Sequence, residues 1–66
     1  MSFGKCVRRL RESRQLSMVE LANDARIPSR TLALIEADAR FPRLHELERL
    51  LEALKATFPD LQLLLD

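Results

Sequence analysis

Arg30 stands between the hydroxyl residues Ser29 and Thr31. A guanidinium is a rigid fork of donors that can address two acceptors at once. The hydroxyls of Ser29 and Thr31 can donate or accept. Ala33 and Leu34, on the same stretch, can make only apolar contact. A second set of charges opens the chain, where Lys5, Arg8, Arg9, Arg11 and Arg14 face only Glu12. Arg8, Arg9, Arg14 and, further on, Arg40 could neutralise phosphates, an attraction that carries no sequence information.

The charge distribution supports a polyanionic partner only weakly. Net charge is +1, but residues 1–40 hold eight Lys/Arg against five Asp/Glu, and residues 41–66 hold three against five. Such asymmetry hints at a polyanion for the first half. Charge alone fits a solvated helix face better.

Other chemistries find little support. The chain has one cysteine, Cys6, and one histidine, His45. They cannot form an internal disulfide or fill a tetrahedral zinc site. There is no Gly-rich phosphate loop, and a Ser/His/acid set can be assembled only by ignoring spacing. No enzyme activity, cofactor or metal is expected. Cys6 reads as a packing residue, His45 as a solvated surface residue, and Glu36 as a structural partner in hydrogen bonds or an ion pair. No apolar run reaches membrane-spanning length, and Met1–Leu10 is too polar for a signal peptide. With a free cysteine, this points to a cytoplasmic protein with no membrane partner.

The elements that must position these residues are helical. Sixty-six residues suffice for one small domain, 1–66. Fourteen leucines and seven alanines outweigh six Val, Ile and Thr, so the class is all-α. Phe3, Val7 and Leu10 share one face of a first helix ending near Arg14–Gln15, with Lys5, Arg8, Arg9 and Arg11 pointing elsewhere. Ser17 and Glu20 fit a capping box, with Leu16 able to staple onto Leu21, and start a second helix running to about Asp24. After Ala25–Ile27, Pro28 opens a third helix over roughly Ser29–Ala37, with Leu32 and Ile35 inward. Ala39–Arg43 is a loop. A fourth helix follows to about Ala56, with Leu44, Leu47, Leu50, Leu51 and Leu54 on its inner face. Pro59 breaks it, and a short fifth helix is expected over Asp60–Leu65.

Two short helices joined by about three residues, with a basic helix before them, match a helix-turn-helix unit at about residues 17–37. The string Leu16-Ser17-x-x-Glu20-Leu21-Ala22, Ile27, Thr31-Leu32-x-x-Ile35-Glu36, Arg40-x-Pro42-x-Leu44-x-x-Leu47-x-x-Leu50 resembles the phage Cro/repressor-type (XRE-like) helix-turn-helix family. The spacing holds without gaps from Phe3 to Leu54. The resemblance implies a five-helix, lambda-repressor-like domain that binds operator DNA. The second helix, starting at Met18, would cross the phosphate backbone, and the third would enter the major groove. Carried over by position, the groove-facing residues are Ser29, Arg30, Thr31, Ala33 and Leu34, and Arg40 occupies a site where relatives often have a basic residue.

This chain departs from the family at several positions. Relatives often open the second helix with Gln, which touches phosphate, whereas Met18 cannot donate. The Leu34 position is often polar. Gln15, Arg26, Asp38 and Lys55 stand where relatives often have glycine, so the domain carries strain there or its turns differ. Arg43 replaces a capping Ser or Thr.

The expected function is a sequence-specific DNA-binding regulator. It would be a phage or bacterial repressor that binds a two-fold symmetric operator as a homodimer, with no sensor domain in the chain. The dimer is expected to use residues 57–66 through Phe58, Leu61, Leu63 and Leu65, because a core this small leaves Leu63 and Leu65 over beside Phe58. The alternative is a helix-turn-helix domain turned to binding another protein, as an inhibitor, adaptor or antitoxin. Its motivation is the apolar character of Met18, Ala33 and Leu34.

Overall fold

Ser2 begins the fold by accepting the Lys5 amide on its hydroxyl, which caps α1 (Phe3–Ser13). The computed structural model describes residues 2–56 and contains α1, α2 (Met18–Ala25), α3 (Ser29–Glu36) and α4 (Leu44–Leu54). No strand occurs among these residues. The fifth helix expected over Asp60–Leu65 and the dimer residues Phe58, Leu61, Leu63 and Leu65 lie outside the described residues.

The capping box forms as expected. The Ser17 hydroxyl accepts the Glu20 amide at 3.0 Å, and the Glu20 carboxylate accepts the Ser17 amide at 2.8 Å. Those bonds, the Ser17 backbone amide first, lower the Glu20 pKa below the usual carboxylate range. No side chain caps α3, which begins after Pro28, whose missing N–H leaves no amide to satisfy there.

One core joins the four helices. Val7 and Leu10 of α1 meet Leu21 and Ala22 of α2, Leu32 and Ile35 of α3, and the stripe Leu47, Leu50, Leu51 and Leu54 of α4. Cys6 is fully buried among them, as a packing residue should be. α4 packs on α2, while α1 and α2 both pack on α3. The recognition candidate is therefore held by two neighbours. Leu44 corrects an expectation: it is 68% exposed, because it occupies the first position of α4, a turn short of where the stripe meets the core. Phe41, three residues earlier, is equally exposed and meets Phe3 at a tilt, with ring centroids 4.8 Å apart.

The four positions where the family favours glycine keep the left-handed backbone without it. Gln15, Arg26, Asp38 and Lys55 have φ of 57°, 58°, 59° and 54°. The strain is therefore real, about 1 kcal/mol at each site. Asp38 offsets its own share. Its carboxylate accepts the Gly4 amide at 2.9 Å, adding a tertiary cap to the start of α1. The Ser2 hydroxyl first, then the Gly4 amide, hold the Asp38 pKa below the usual range.

Candidate nucleic-acid interface

The position of α3 is set at its C-terminal end. Glu36, the last residue of the helix, is buried and accepts Arg11 Nε at 2.8 Å and Nη2 at 3.1 Å. Arg11 Nη1 also donates to the Leu16 carbonyl at 2.9 Å. One guanidinium thus ties α1 to α3 and to the turn before α2. The bonds to Glu36 raise the Arg11 pKa further above its already high value. The structural role expected for Glu36 is the one it has. Arg11 corrects the expectation that it points outward with its basic neighbours. Its side chain is only 12% exposed, because a buried carboxylate one helix away gives it a partner that solvent cannot match.

Gly4 completes this end. A Cβ on Gly4 would stand 2.5 Å from both the Ile35 and Glu36 carbonyl oxygens, so only glycine lets α1 approach the end of α3 this closely. Sequence reasoning passed over Gly4. The available signal was its place as the chain's single glycine, set inside a helix where glycine is disfavoured.

The outer face of α3 is open. Arg30, Ala33, Leu34 and Ala37 are exposed at i, i+3, i+4 and i+7, a spacing that puts them on one helix face. Ser29 is exposed at the start of the helix and Thr31 is half-buried. The face carries one long hydrogen-bonding side chain, and Leu34 is 42% exposed beside it. Arg30 makes no side-chain bond to another described residue.

Next to this face runs a groove of about 320 Å³ lined by Arg8, Arg11, Met18, Ala33, Glu36 and Ala37. Arg8 of α1 and Met18 of α2 therefore stand on the same side as Ala33. Met18 is half-buried against the core, so it serves packing as well as surface. Among the described residues Arg8 pairs only with Glu12, at 3.3 Å and well exposed, a contact of little strength in water. Lys5 and Arg9 are exposed on the same helix, around a hollow they share with Arg8 and Glu12. Of the basic residues at the start of the chain, Lys5, Arg8 and Arg9 thus line one exposed hollow.

Two of the expected phosphate ligands, Arg14 and Arg40, also have partners within the domain. Arg14 donates from Nε to the carbonyl of Leu54 and from Nη1 to Ser13 Oγ at 3.0 Å. It closes the C-terminal end of α4, where unpaired carbonyls favour a cation. Arg40 donates from Nη2 to both Glu46 carboxylate oxygens, at 3.0 and 3.1 Å, yet its side chain stays 31% exposed. Glu46 also accepts the Arg43 amide at 2.9 Å, the contact that a capping Ser or Thr at Arg43 would complement. The Arg43 amide first, then Arg40 against the opposing effect of burial, lowers the Glu46 pKa.

His45 is exposed. Among the described residues no group of His, Cys, Asp and Glu could hold a metal ion, and no helix is long and apolar enough to cross a membrane.

Comparison with protein families matches residues 2–64 to the family described as a helix-turn-helix domain. Comparison with curated proteins and with solved structures gives no match.

Proposed function

Because the chain belongs to the helix-turn-helix domain family, we propose that it is a sequence-specific DNA-binding regulator with α3 as its recognition helix. One observation carries the reading. Arg30 stands exposed, with no side-chain partner among the described residues, at the open end of a helix whose other end is fixed by buried bonds. In this reading α2 lies across the phosphate backbone and the start of α3 enters the major groove. Arg30 addresses a guanine edge, Ser29 and Thr31 a base edge or phosphate, and Ala33 and Leu34 apolar base edges. Lys5, Arg8 and Arg9 neutralise phosphates from α1. Arg40 keeps donors free beyond its ion pair and can add another. Arg14 is left to its role at the end of α4.

The proposed assembly is a homodimer on a two-fold symmetric operator, joined through Phe58, Leu61, Leu63 and Leu65, and acting as a repressor by occupying the site. Selection from a random pool of duplexes tests the reading. It should enrich a symmetric motif. If three basic side chains from each of two copies neutralise about six phosphates, log affinity should fall with log salt at a slope near −5. No enrichment at low salt would reject DNA binding and leave a protein partner for the apolar residues of the same face.

A further inference from the structure

The exposed face of α3 reads, from its start, Arg30, Ala33 and Leu34, and Ala37, the residue that follows the helix, continues it. Three of its four members have no polar atom beyond Cα. From this we infer that the face selects its site by the C5-methyl groups of the major groove, and that it takes 5-methylcytosine as well as thymine beneath Leu34. The inference rests on the DNA reading above and goes further by naming the chemical group recognised.

Each base edge in the major groove offers donors, acceptors or a methyl group. An alanine or leucine laid on a donor or acceptor leaves it without water or partner, which is unfavourable. Laid on a methyl, the same side chain removes apolar surface from water on both partners. Leu34, at 42% exposure, is the largest apolar group on the face. It cannot withdraw into the core, because Leu32 and Ile35, which flank it in the helix, already fill the inner face. Leu34 lies four residues beyond Arg30, about 6 Å along the helix axis. That distance is close to two base steps of DNA. The pattern is therefore a guanine read by Arg30 and a methylated pyrimidine about two pairs away.

Leu34 has neither donor nor acceptor, so it cannot distinguish O4 of thymine from the N4 amine of cytosine. What it registers is the methyl. Basic groups argue that the occupant is DNA rather than an apolar protein surface. Arg30 begins the face, and Arg8 lines the groove alongside it with Ala33 and Ala37. A purely apolar partner would have to desolvate both guanidinium groups.

The test uses the full chain and the duplex enriched by selection. Each thymine is replaced in turn by uracil, which removes one methyl and keeps every hydrogen-bonding group. At the position beneath Leu34 affinity should fall about fourfold, the ratio expected for one methyl-sized apolar group. Placing a C·G pair at that position and methylating the cytosine at C5 should raise affinity by a similar factor. Leu34→Gln should bind the thymine and uracil duplexes equally. Its exposed position keeps the substitution compatible with folding, which circular dichroism checks. Uracil tolerated at every position, with cognate binding retained, overturns the methyl reading and leaves DNA binding in place. A fourfold loss that persists in Leu34→Gln overturns the assignment to Leu34. No binding to any duplex overturns the DNA reading itself, and this inference with it.

Discussion

The two ends of α3 differ in how they are held. At the C-terminal end, Glu36 is gripped by Arg11, the backbone carbonyls of Ile35 and Glu36 press against Gly4, and Asp38 caps the amide of Gly4 in return. At the N-terminal end, Pro28 offers no side-chain cap, and Ser29 and Arg30 project into solvent. A helix anchored at one end and along its inner face can present the other end in a fixed place. It then needs no contact there that a partner would have to displace. The difference also separates two kinds of residue. Substitutions at the held end should act on folding, and substitutions at the open end should act on binding.

The largest effect is expected at Glu36. Glu36→Ala leaves the Arg11 guanidinium largely buried without its carboxylate, and breaking a buried pair in this way costs about 3–5 kcal/mol. For a domain of this size that is most of its stability. Urea denaturation should show Glu36→Ala largely unfolded, while Arg11→Met with Glu36→Leu together recovers much of the loss. Equal loss in the double variant would mean that the pair matters for more than its own neutralisation.

Gly4→Ala comes next. Its Cβ meets backbone rather than a flexible side chain, so α1 or α3 must shift, at a cost of roughly 1–3 kcal/mol. A midpoint unchanged from the wild type would show that the approach of α1 to α3 is looser than described.

The smallest change has the opposite sign. Arg26→Gly relieves a left-handed residue between α2 and α3 and should raise stability by about 1 kcal/mol. The gain is partly offset by the greater freedom of glycine in the unfolded chain. Asp38→Gly, at the same kind of turn, should gain nothing, because it also removes the bond to Gly4. If both variants respond alike, the held end of α3 does not depend on Asp38.

Much of the scaffold was legible in the sequence, because it rests on local chemistry. The Ser17–Glu20 box, the break at Pro28 and the leucine spacing of α4 are each written within a few residues. The left-handed turns were legible only as one of two alternatives. The ungapped register with a known family singled out Gln15, Arg26, Asp38 and Lys55 but left strain or different turns open, because none of them favours that conformation alone. What escaped were contacts between residues far apart in the chain. Arg11 looked like one of five similar basic residues until Glu36, 25 positions away, was found against it. Nothing near Arg14 in the chain points to the Leu54 carbonyl, 40 positions away, as a partner of its guanidinium. Leu44 fits the periodicity of its helix and still faces solvent, because periodicity does not say where the neighbouring helix stops. Within the candidate interface, the residues of α3 came from the family resemblance. That Arg30 has no side-chain partner among the described residues was not readable.

The central claim is that the open end of α3 reads bases while α1 supplies charge without sequence. Titration of Arg30→Ala and Arg9→Ala against the enriched duplex and against random DNA tests it most directly. Arg30→Ala should lose roughly 1–3 kcal/mol on the enriched duplex and little on random DNA, relaxing the preference at one base pair. Arg9→Ala should weaken both duplexes by the same factor and flatten the salt dependence. If Arg30→Ala weakens the enriched and random duplexes equally, Arg30 is a phosphate contact and the open end of α3 is not where sequence is read.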